Sequence, residues 1–122
     1  MEESAYSLYQ RGAALLSEGL PRDAAESLAK ARMLEPDKAS IREALARAYF
    51  ALGRTGEARD EFAATATIDP TNDYAHFGLA LCFERERRLL EARGHARLAA
   101  TMRPDNDDYR QALDRIERAA ET

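Results

Sequence analysis

Two histidines and one cysteine are the residues whose chemistry could support a metal site or an enzymatic nucleophile. His76 and His95 are the only histidines, and Cys82 is the only cysteine. A zinc site uses three or four protein ligands, and no further residue at ligand spacing completes one here. Cys82 follows His76 by six residues, whereas side chains that meet on a helix are three or four apart. We therefore expect these three residues to be packing residues, with no catalytic site, no metal and no cofactor.

The charged residues give no reason to expect binding to nucleic acid or to an anionic membrane. The formal net charge is −4, and a protein that binds phosphates usually needs a clear excess of positive charge. One basic run is interrupted by acidic residues: Arg85, Arg87, Arg88, Arg93 and Arg97 alternate with Glu84, Glu86 and Glu91. This alternation favours a solvated surface of paired charges over an anion site. The glycines are scattered and form no phosphate-binding loop.

Cysteine content and the N-terminal residues favour a reducing, cytoplasmic setting. Cys82 has no partner for an intrachain disulfide. The N-terminal residues Met1–Ser4 are acidic, and no long apolar run follows them. We therefore expect no signal peptide. We also expect no membrane span, because a span requires about 20 consecutive apolar residues.

Three prolines divide the chain into equal units. Pro36, Pro70 and Pro104 are separated by 34 residues each. Proline lacks a backbone N–H and disfavours the helical region for the residue before it, so each should follow a helix end. A period of 34 residues predicts three copies of one helical unit. The predicted organisation is a single domain over residues 1–122 with these parts: Ala5–Lys38, Ala39–Asn72, Asp73–Asn106 and a tail, Asp107–Thr122.

Within each copy the sequence predicts a helix, a break and a second helix. Gly19 and Gly53 mark the first two breaks, because glycine readily adopts the left-handed conformation that ends a helix. The third break, Arg85–Arg88, contains only charged residues. No segment shows the alternation expected of a half-buried strand. The predicted first helices are Glu3–Ser17, Ala39–Leu52 and Tyr74–Arg85, and the second helices are Arg22–Leu34, Gly56–Ile68 and Leu89–Met102.

Large and small residues recur at equivalent positions of the three copies. The second copy has the most complete set: Leu45, Ala46, Tyr49, Gly53, Ala58, Phe62 and Pro70. In this pattern the sequence resembles the tetratricopeptide repeat over residues 5–106. The resemblance implies an all-α, right-handed α-solenoid of three helix-turn-helix repeats with a capping helix. Two departures stand out: Arg11 occupies the position of Leu45 and Leu79, and the third copy lacks the glycine of the break.

The tail has the pattern of a capping helix. Its apolar residues recur at helical spacing, with charged residues covering the rest of the helix: Tyr109, Ala112, Leu113, Ile116 and Ala120 form the apolar stripe. The last repeat of a solenoid exposes an apolar surface, and a polar-backed helix can cover it. We therefore predict that residues 107–122 pack on the third repeat.

A second face of the first helices remains after the positions used for packing within a repeat. The resemblance implies that this face lines a concave groove where peptides bind. Some relatives hold a C-terminal carboxylate there with basic residues and asparagines, but the matching positions here are Tyr9, Ala13, Ala44, Tyr74 and Gly78. An apolar or amphipathic segment is therefore the expected ligand. The candidate groove residues are Tyr6, Tyr9, Ala13, Arg47, Phe50, Tyr74, Phe77 and Leu81.

Two classes of function are consistent with these patterns, and an enzyme is the least favoured class. The favoured function is a non-enzymatic adaptor or chaperone-like scaffold that binds a protein or peptide partner in the groove. The alternative is a structural module that self-associates, for example as a homodimer, through the same face or an open solenoid end. The groove aromatics have an alternative role too, which is packing between neighbouring repeats or under the cap.

Overall fold

The structure, a computed structural model, describes residues 3–122. Those residues form seven α-helices and no β-strand: α1 Ala5–Ser17, α2 Pro21–Leu34, α3 Ala39–Ala51, α4 Thr55–Ile68, α5 Asp73–Arg85, α6 Leu89–Met102 and α7 Asp107–Glu121. The predicted all-α class is confirmed, and each helix begins and ends within two residues of its predicted bounds. Met1 and Glu2, which belong to the acidic N-terminal stretch, lie outside the described residues.

The helices are arranged as three hairpins and one further helix. Helix α1 packs on α2, α3 on α4, and α5 on α6, while α2–α3, α4–α5 and α6–α7 join successive units. The first helices α1, α3 and α5 also contact one another in order, and α5 contacts α7. The result is an α-solenoid of three helix-turn-helix repeats, in which the first helices lie side by side.

The turn inside each repeat contains one residue in the left-handed backbone region. Gly19 has a φ of 76°, Gly53 a φ of 77° and Arg87 a φ of 60°. One backbone hydrogen bond closes each turn at an N···O distance of 2.9 Å: Leu20 to Leu15, Arg54 to Tyr49, and Arg88 to Phe83. The third turn therefore has the geometry of the other two without their glycine. A left-handed conformation costs an L-residue roughly 1–2 kcal/mol, and Arg87 bears that cost.

Small side chains allow the two helices of each repeat to pack closely. Ala24, Ala58 and Ala92 occupy the same repeat position, and each is 0% exposed. Between them lie larger buried side chains such as Leu28 and Phe62. Small residues on one helix permit close approach of its neighbour, and the large ones fill the remaining space.

The first repeat exposes a helix face that the other two repeats bury. Leu45 and Leu79 are buried between repeats, whereas Arg11 at the same position is exposed and forms a 2.6 Å ion pair with Glu3. The surrounding positions follow the same rule, since Ser7 and Gln10 are exposed where Ile41 and Ala44 are buried. The unusual Arg11 is thus explained by its place on a polar N-terminal face of the solenoid.

Helix α7 covers the third repeat, as the sequence predicts. Tyr109, Ala112 and Ile116 are buried, with Ile116 at 0% exposed, and Leu113 is half-buried. The Tyr109 hydroxyl donates a hydrogen bond of 2.5 Å to the Asp73 carboxylate at the start of α5. Since α7 carries its charged residues on the outer side, it works as the polar-backed cap that the end of a solenoid needs.

Candidate interaction cleft

A cleft of about 240 Å³ opens on the face formed by the first helices, and we call it the central cleft. Four helices contribute to it, namely α1, α3, α4 and α5. Its lining is mainly apolar and aromatic: Leu16, Arg47, Phe50, Ala51, Phe62, Tyr74, Gly78 and Leu81. Four of the predicted groove residues, Arg47, Phe50, Tyr74 and Leu81, therefore lie together in one cleft.

Gly78 lets the aromatic ring of Phe62 reach the cleft. A Cβ atom at Gly78 would lie 2.5 Å from Cε1 and Cζ of Phe62, which is closer than real Cβ atoms approach. The Phe62 ring also lies 6.1 Å from the ring of Tyr74, centroid to centroid. Phe62 is only 2% exposed, so the floor of the cleft belongs to the core and is rigid.

Two arginines lie against aromatic rings of the cleft. The guanidinium of Arg47 is 5.7 Å from the ring centroid of Tyr74. The guanidinium of Arg85 is 3.5 Å from the ring centroid of Phe50, and it donates a 3.1 Å hydrogen bond to the Phe50 carbonyl oxygen. Both distances are within the range of a cation–π contact. Burial raises the pKa of the Tyr74 phenol, and the nearby Arg47 charge opposes that rise. Tyr74 is therefore neutral at neutral pH and presents a hydroxyl to the cleft.

The remaining predicted groove residues lie outside the central cleft. Tyr6 and Tyr9 line a separate pocket of about 250 Å³, between the start of α1 and the turn before α3. Tyr6 is 69% exposed and accepts a 2.9 Å hydrogen bond from the Gln10 amide, whereas Tyr9 is half-buried against the core. Ala13 is half-buried and lines neither pocket. The predicted set is therefore divided: four residues line the central cleft, Tyr6 and Tyr9 line the separate pocket, and Ala13 and Phe77 line neither.

Phe77 packs under the cap. Its ring is 4.7 Å from Tyr109 of α7 and 5.8 Å from Tyr74, centroid to centroid. This contact matches the alternative role considered for the groove aromatics, which is packing between helices. Substituting Phe77 should therefore affect stability as well as any binding.

Four residues of the central cleft were not among the predicted groove residues. Leu16 shares the predicted face with Tyr9 and Ala13 through its spacing along α1. Ala51 is an exposed residue at the end of α3. Phe62 fits the repeat pattern as a core residue and gives no local signal of a surface site. Gly78 occupies a position that the resemblance places on the groove face, but it offers no side chain to a ligand.

The two histidines lie in contact at the place where the second repeat has an ion pair. His76 Nδ1 is 3.2 Å from His95 Nδ1, and Arg42 donates a 2.9 Å hydrogen bond to Glu61 at the positions 34 residues earlier. Burial lowers the pKa of His95, and the neighbouring His76 lowers it further. The pair thus joins the two helices of its repeat, as Arg42 and Glu61 do in theirs.

Neither the histidines nor the cysteine forms a recognisable reactive site. Burial raises the pKa of the Cys82 thiol to about 12, so the thiol stays protonated and unreactive at neutral pH. Among residues 3–122, no three His, Cys, Asp or Glu side chains are grouped so that they could hold a metal ion. Within the same residues, no helix combines the length and the apolar character that crossing a membrane requires.

Comparison with protein families identifies the class of this chain. One tetratricopeptide repeat model matches residues 15–76, and a second matches residues 69–107. The chain therefore belongs to the tetratricopeptide repeat family. A search of curated proteins found no match.

Solved structures of similar fold are tetratricopeptide repeat (TPR) domains. The first TPR of Spaghetti (RPAP3), bound to an HSP90 peptide, has a TM-score of 0.93 at 18% identity, covering 98% of this chain and 94% of that one. The TPR domain of Arabidopsis OM64 has a TM-score of 0.90 at 21% identity, covering 94% and 95%. The second TPR domain of human RPAP3, in complex with an HSP70 peptide, has a TM-score of 0.87 at 20% identity, covering 93% and 94%. At these identities the similarity establishes the fold and leaves the ligand of this chain to be argued from its own residues.

Proposed function

We propose that this protein is a non-enzymatic interaction scaffold that binds a peptide or helical segment of a partner protein in the central cleft. The observation that supports this most directly is a cleft of about 240 Å³, lined mainly by apolar and aromatic residues, at the meeting point of three first helices. Leu16, Phe50 and Leu81 line it and are only half-buried. Exposed apolar surface gathered in one place is typical of a binding site. A role as a cytoplasmic adaptor or chaperone-like module is part of the proposal.

The family supports peptide binding as a class of function. Two structural neighbours have peptides of HSP90 and HSP70 bound to a TPR domain. This chain has apolar or uncharged residues at the positions where such relatives hold a terminal carboxylate, among them Tyr9, Ala13 and Gly78. An apolar or amphipathic segment therefore fits the cleft better than a charged chain terminus does.

Self-association is the alternative, and the polarity of the two ends bears on how it would occur. The N-terminal face carries Arg11 and other exposed polar residues, so stacking there would bury charge. The outer side of α7 carries ion-paired residues such as Asp114 and Arg118, 2.9 Å apart. The two ends are therefore poor dimer surfaces, and the central cleft is the face on which both functions are tested.

The test compares the same substitution at two leucines, one inside the cleft and one outside it. Leu81 lines the cleft, whereas Leu90 on α6 is 68% exposed and lies outside it. Twelve-residue peptides would be selected from a display library on the wild-type protein, and the best would be synthesised and titrated by fluorescence anisotropy. We expect Leu81→Ala to weaken binding about tenfold, as loss of an apolar contact costs about 1–2 kcal/mol. Leu90→Ala should bind like the wild type.

Other outcomes separate the alternatives. If the library yields no binder, or if its binders do not distinguish Leu81→Ala from Leu90→Ala, the proposal is wrong. Sedimentation over a wide protein concentration range tests self-association. A concentration-dependent dimer that becomes monomeric in Leu81→Ala but not in Leu90→Ala would favour the homodimer.

A further inference from the structure

The charges around the central cleft are not balanced. Arg47 lines the cleft, and Arg85 stacks on Phe50, another lining residue. Neither arginine forms an ion pair with a carboxylate among residues 3–122, although many other arginines of the chain do. Arg47 also forms no ion pair with Glu43, although residues four apart on a helix can pair and Glu43 lies one turn earlier on α3.

The acidic residues of this face are instead held by other partners. Glu43 accepts a 2.9 Å hydrogen bond from the Asn72 amide. Glu84 is held by the guanidinium of Arg115 on α7, through two hydrogen bonds of 2.7 and 2.8 Å. The two carboxylates are thus turned toward the neighbouring repeat and toward the cap. Glu84 is thus neutralised by Arg115, whereas Glu43 keeps its charge beside a neutral amide and lies near enough to Tyr74 to raise its pKa. Arg47 and Arg85 therefore outnumber the one carboxylate left without a cation, in a protein whose net charge is −4.

We infer that the segment bound in the cleft carries a side-chain carboxylate within one helical turn of its apolar anchor. The inference rests on the proposed function and specifies its ligand. The apolar anchor contacts Leu16 and Leu81, while the carboxylate meets the guanidinium of Arg47. Arg47 is solvent-exposed, lies over the Tyr74 ring and has no carboxylate partner among residues 3–122, so its guanidinium is accessible to a carboxylate of a ligand. A guanidinium held in this way forms a strong hydrogen bond to a carboxylate.

The placement of the arginines favours an internal segment over a chain terminus. Arg47 belongs to α3 and Arg85 to α5, and each is stacked on a different ring. A terminal carboxylate is usually held by several donors that converge on it, whereas here the positive charge is spread along the cleft. The cleft also has apolar residues from both neighbouring repeats, which suits a segment that crosses the face.

The experiment selects ligands that have no free C-terminus. Twelve-residue peptides fused through their C-termini to a phage coat protein are selected on the wild-type protein and sequenced. We expect Asp or Glu to be enriched within four residues of an aliphatic or aromatic residue. A selected peptide is then synthesised with an amidated C-terminus, together with a version in which the acidic residue is replaced by its amide.

Titration of both peptides against matched variants identifies the arginine that binds the carboxylate. Arg47→Gln should weaken binding of the acidic peptide about tenfold, the value expected for one charged hydrogen bond, and should not weaken the amide version further. Arg22→Gln is the control, because Arg22 is exposed on α2 and the charge change is the same. Circular dichroism checks that both variants remain folded.

The possible results of these experiments distinguish the inference from the proposed function on which it rests. Binders without acidic enrichment, or equal binding by Arg47→Gln and Arg22→Gln, would overturn the inference and leave the proposed function intact. A second library that displays its peptides with free C-termini tests binding of chain termini, and binders from that library alone would overturn the inference and leave the proposed function intact. If neither library yields a binder, both the inference and the proposed function are wrong.

Discussion

Two glycines in helix interiors should respond differently to the same substitution. Gly78 lies in α5 and Gly94 in α6, and both are followed by further helical residues. Alanine has a higher helix propensity than glycine by about 1 kcal/mol, so both Gly→Ala variants gain that term. Nothing lies within 4 Å of a Cβ atom built at Gly94, whereas a Cβ at Gly78 would be 2.5 Å from the Phe62 ring.

The expected difference in the free energy of unfolding follows from the surroundings of each glycine. Gly94→Ala should raise the free energy of unfolding by about 1 kcal/mol. Gly78→Ala must also move a ring that is 2% exposed and packed against Tyr74, and such overpacking costs roughly 1–3 kcal/mol. The helix-propensity term is common to both variants and cancels when they are compared. Gly78→Ala should therefore be about 1–3 kcal/mol less stable than Gly94→Ala.

Urea denaturation followed by circular dichroism measures this difference directly. The wild type, both single variants and the double variant would be unfolded under the same conditions, and the free energies extrapolated to water. The two effects should add in the double variant if the sites are independent. If Gly78→Ala is as stable as Gly94→Ala, the Phe62 ring is free to move, and the account of a rigid cleft floor is wrong.

Three further predictions concern the third repeat and its cap. Arg87→Gly should raise the free energy of unfolding, measured by urea denaturation, by about 0.5–1 kcal/mol. Glycine removes the strain of the positive φ, but it also raises the conformational entropy of the unfolded chain, which offsets part of that gain. A loss of stability would contradict the backbone strain assigned to Arg87. Ile116→Ala should lower the free energy of unfolding by about 2–5 kcal/mol, and Leu113→Ala should lower it less, since only Ile116 is fully buried. Equal melting temperatures for Ile116→Ala and the wild type would refute the packing of the cap. Burial holds the pKa of His95 below the ordinary value of 6.5, so the unfolded chain binds its proton first as the pH falls. Stability should therefore fall as the pH drops below about 6.5. This dependence should be weaker in His95→Gln, and an unchanged pH profile in that variant would show that His95 is not its source.

Much of the fold was predictable because its determinants are local and repeated. Pro36, Pro70 and Pro104 end helices through their own covalent geometry, and a strict 34-residue interval shows that one unit recurs. The apolar stripe of α7 lies on one helix face whatever that face contacts, so the cap could be recognised before its partner was known. Four of the eight predicted groove residues lie together in the central cleft for the same reason, since helical spacing places them on the first-helix face.

The sequence by itself thus determined the repeat, the helices and the face that bears the candidate site. Only the tertiary structure decided what that face contains. It brought Phe62 and Gly78 together from different repeats, placed Phe77 under the cap, and left Arg47 without the carboxylate that its own helix offers. These outcomes depend on contacts between residues far apart in the chain, and on competition among several partners for one side chain. Periodicity indicates the side of a helix on which a residue lies, whereas only packing in three dimensions determines which neighbour it contacts there.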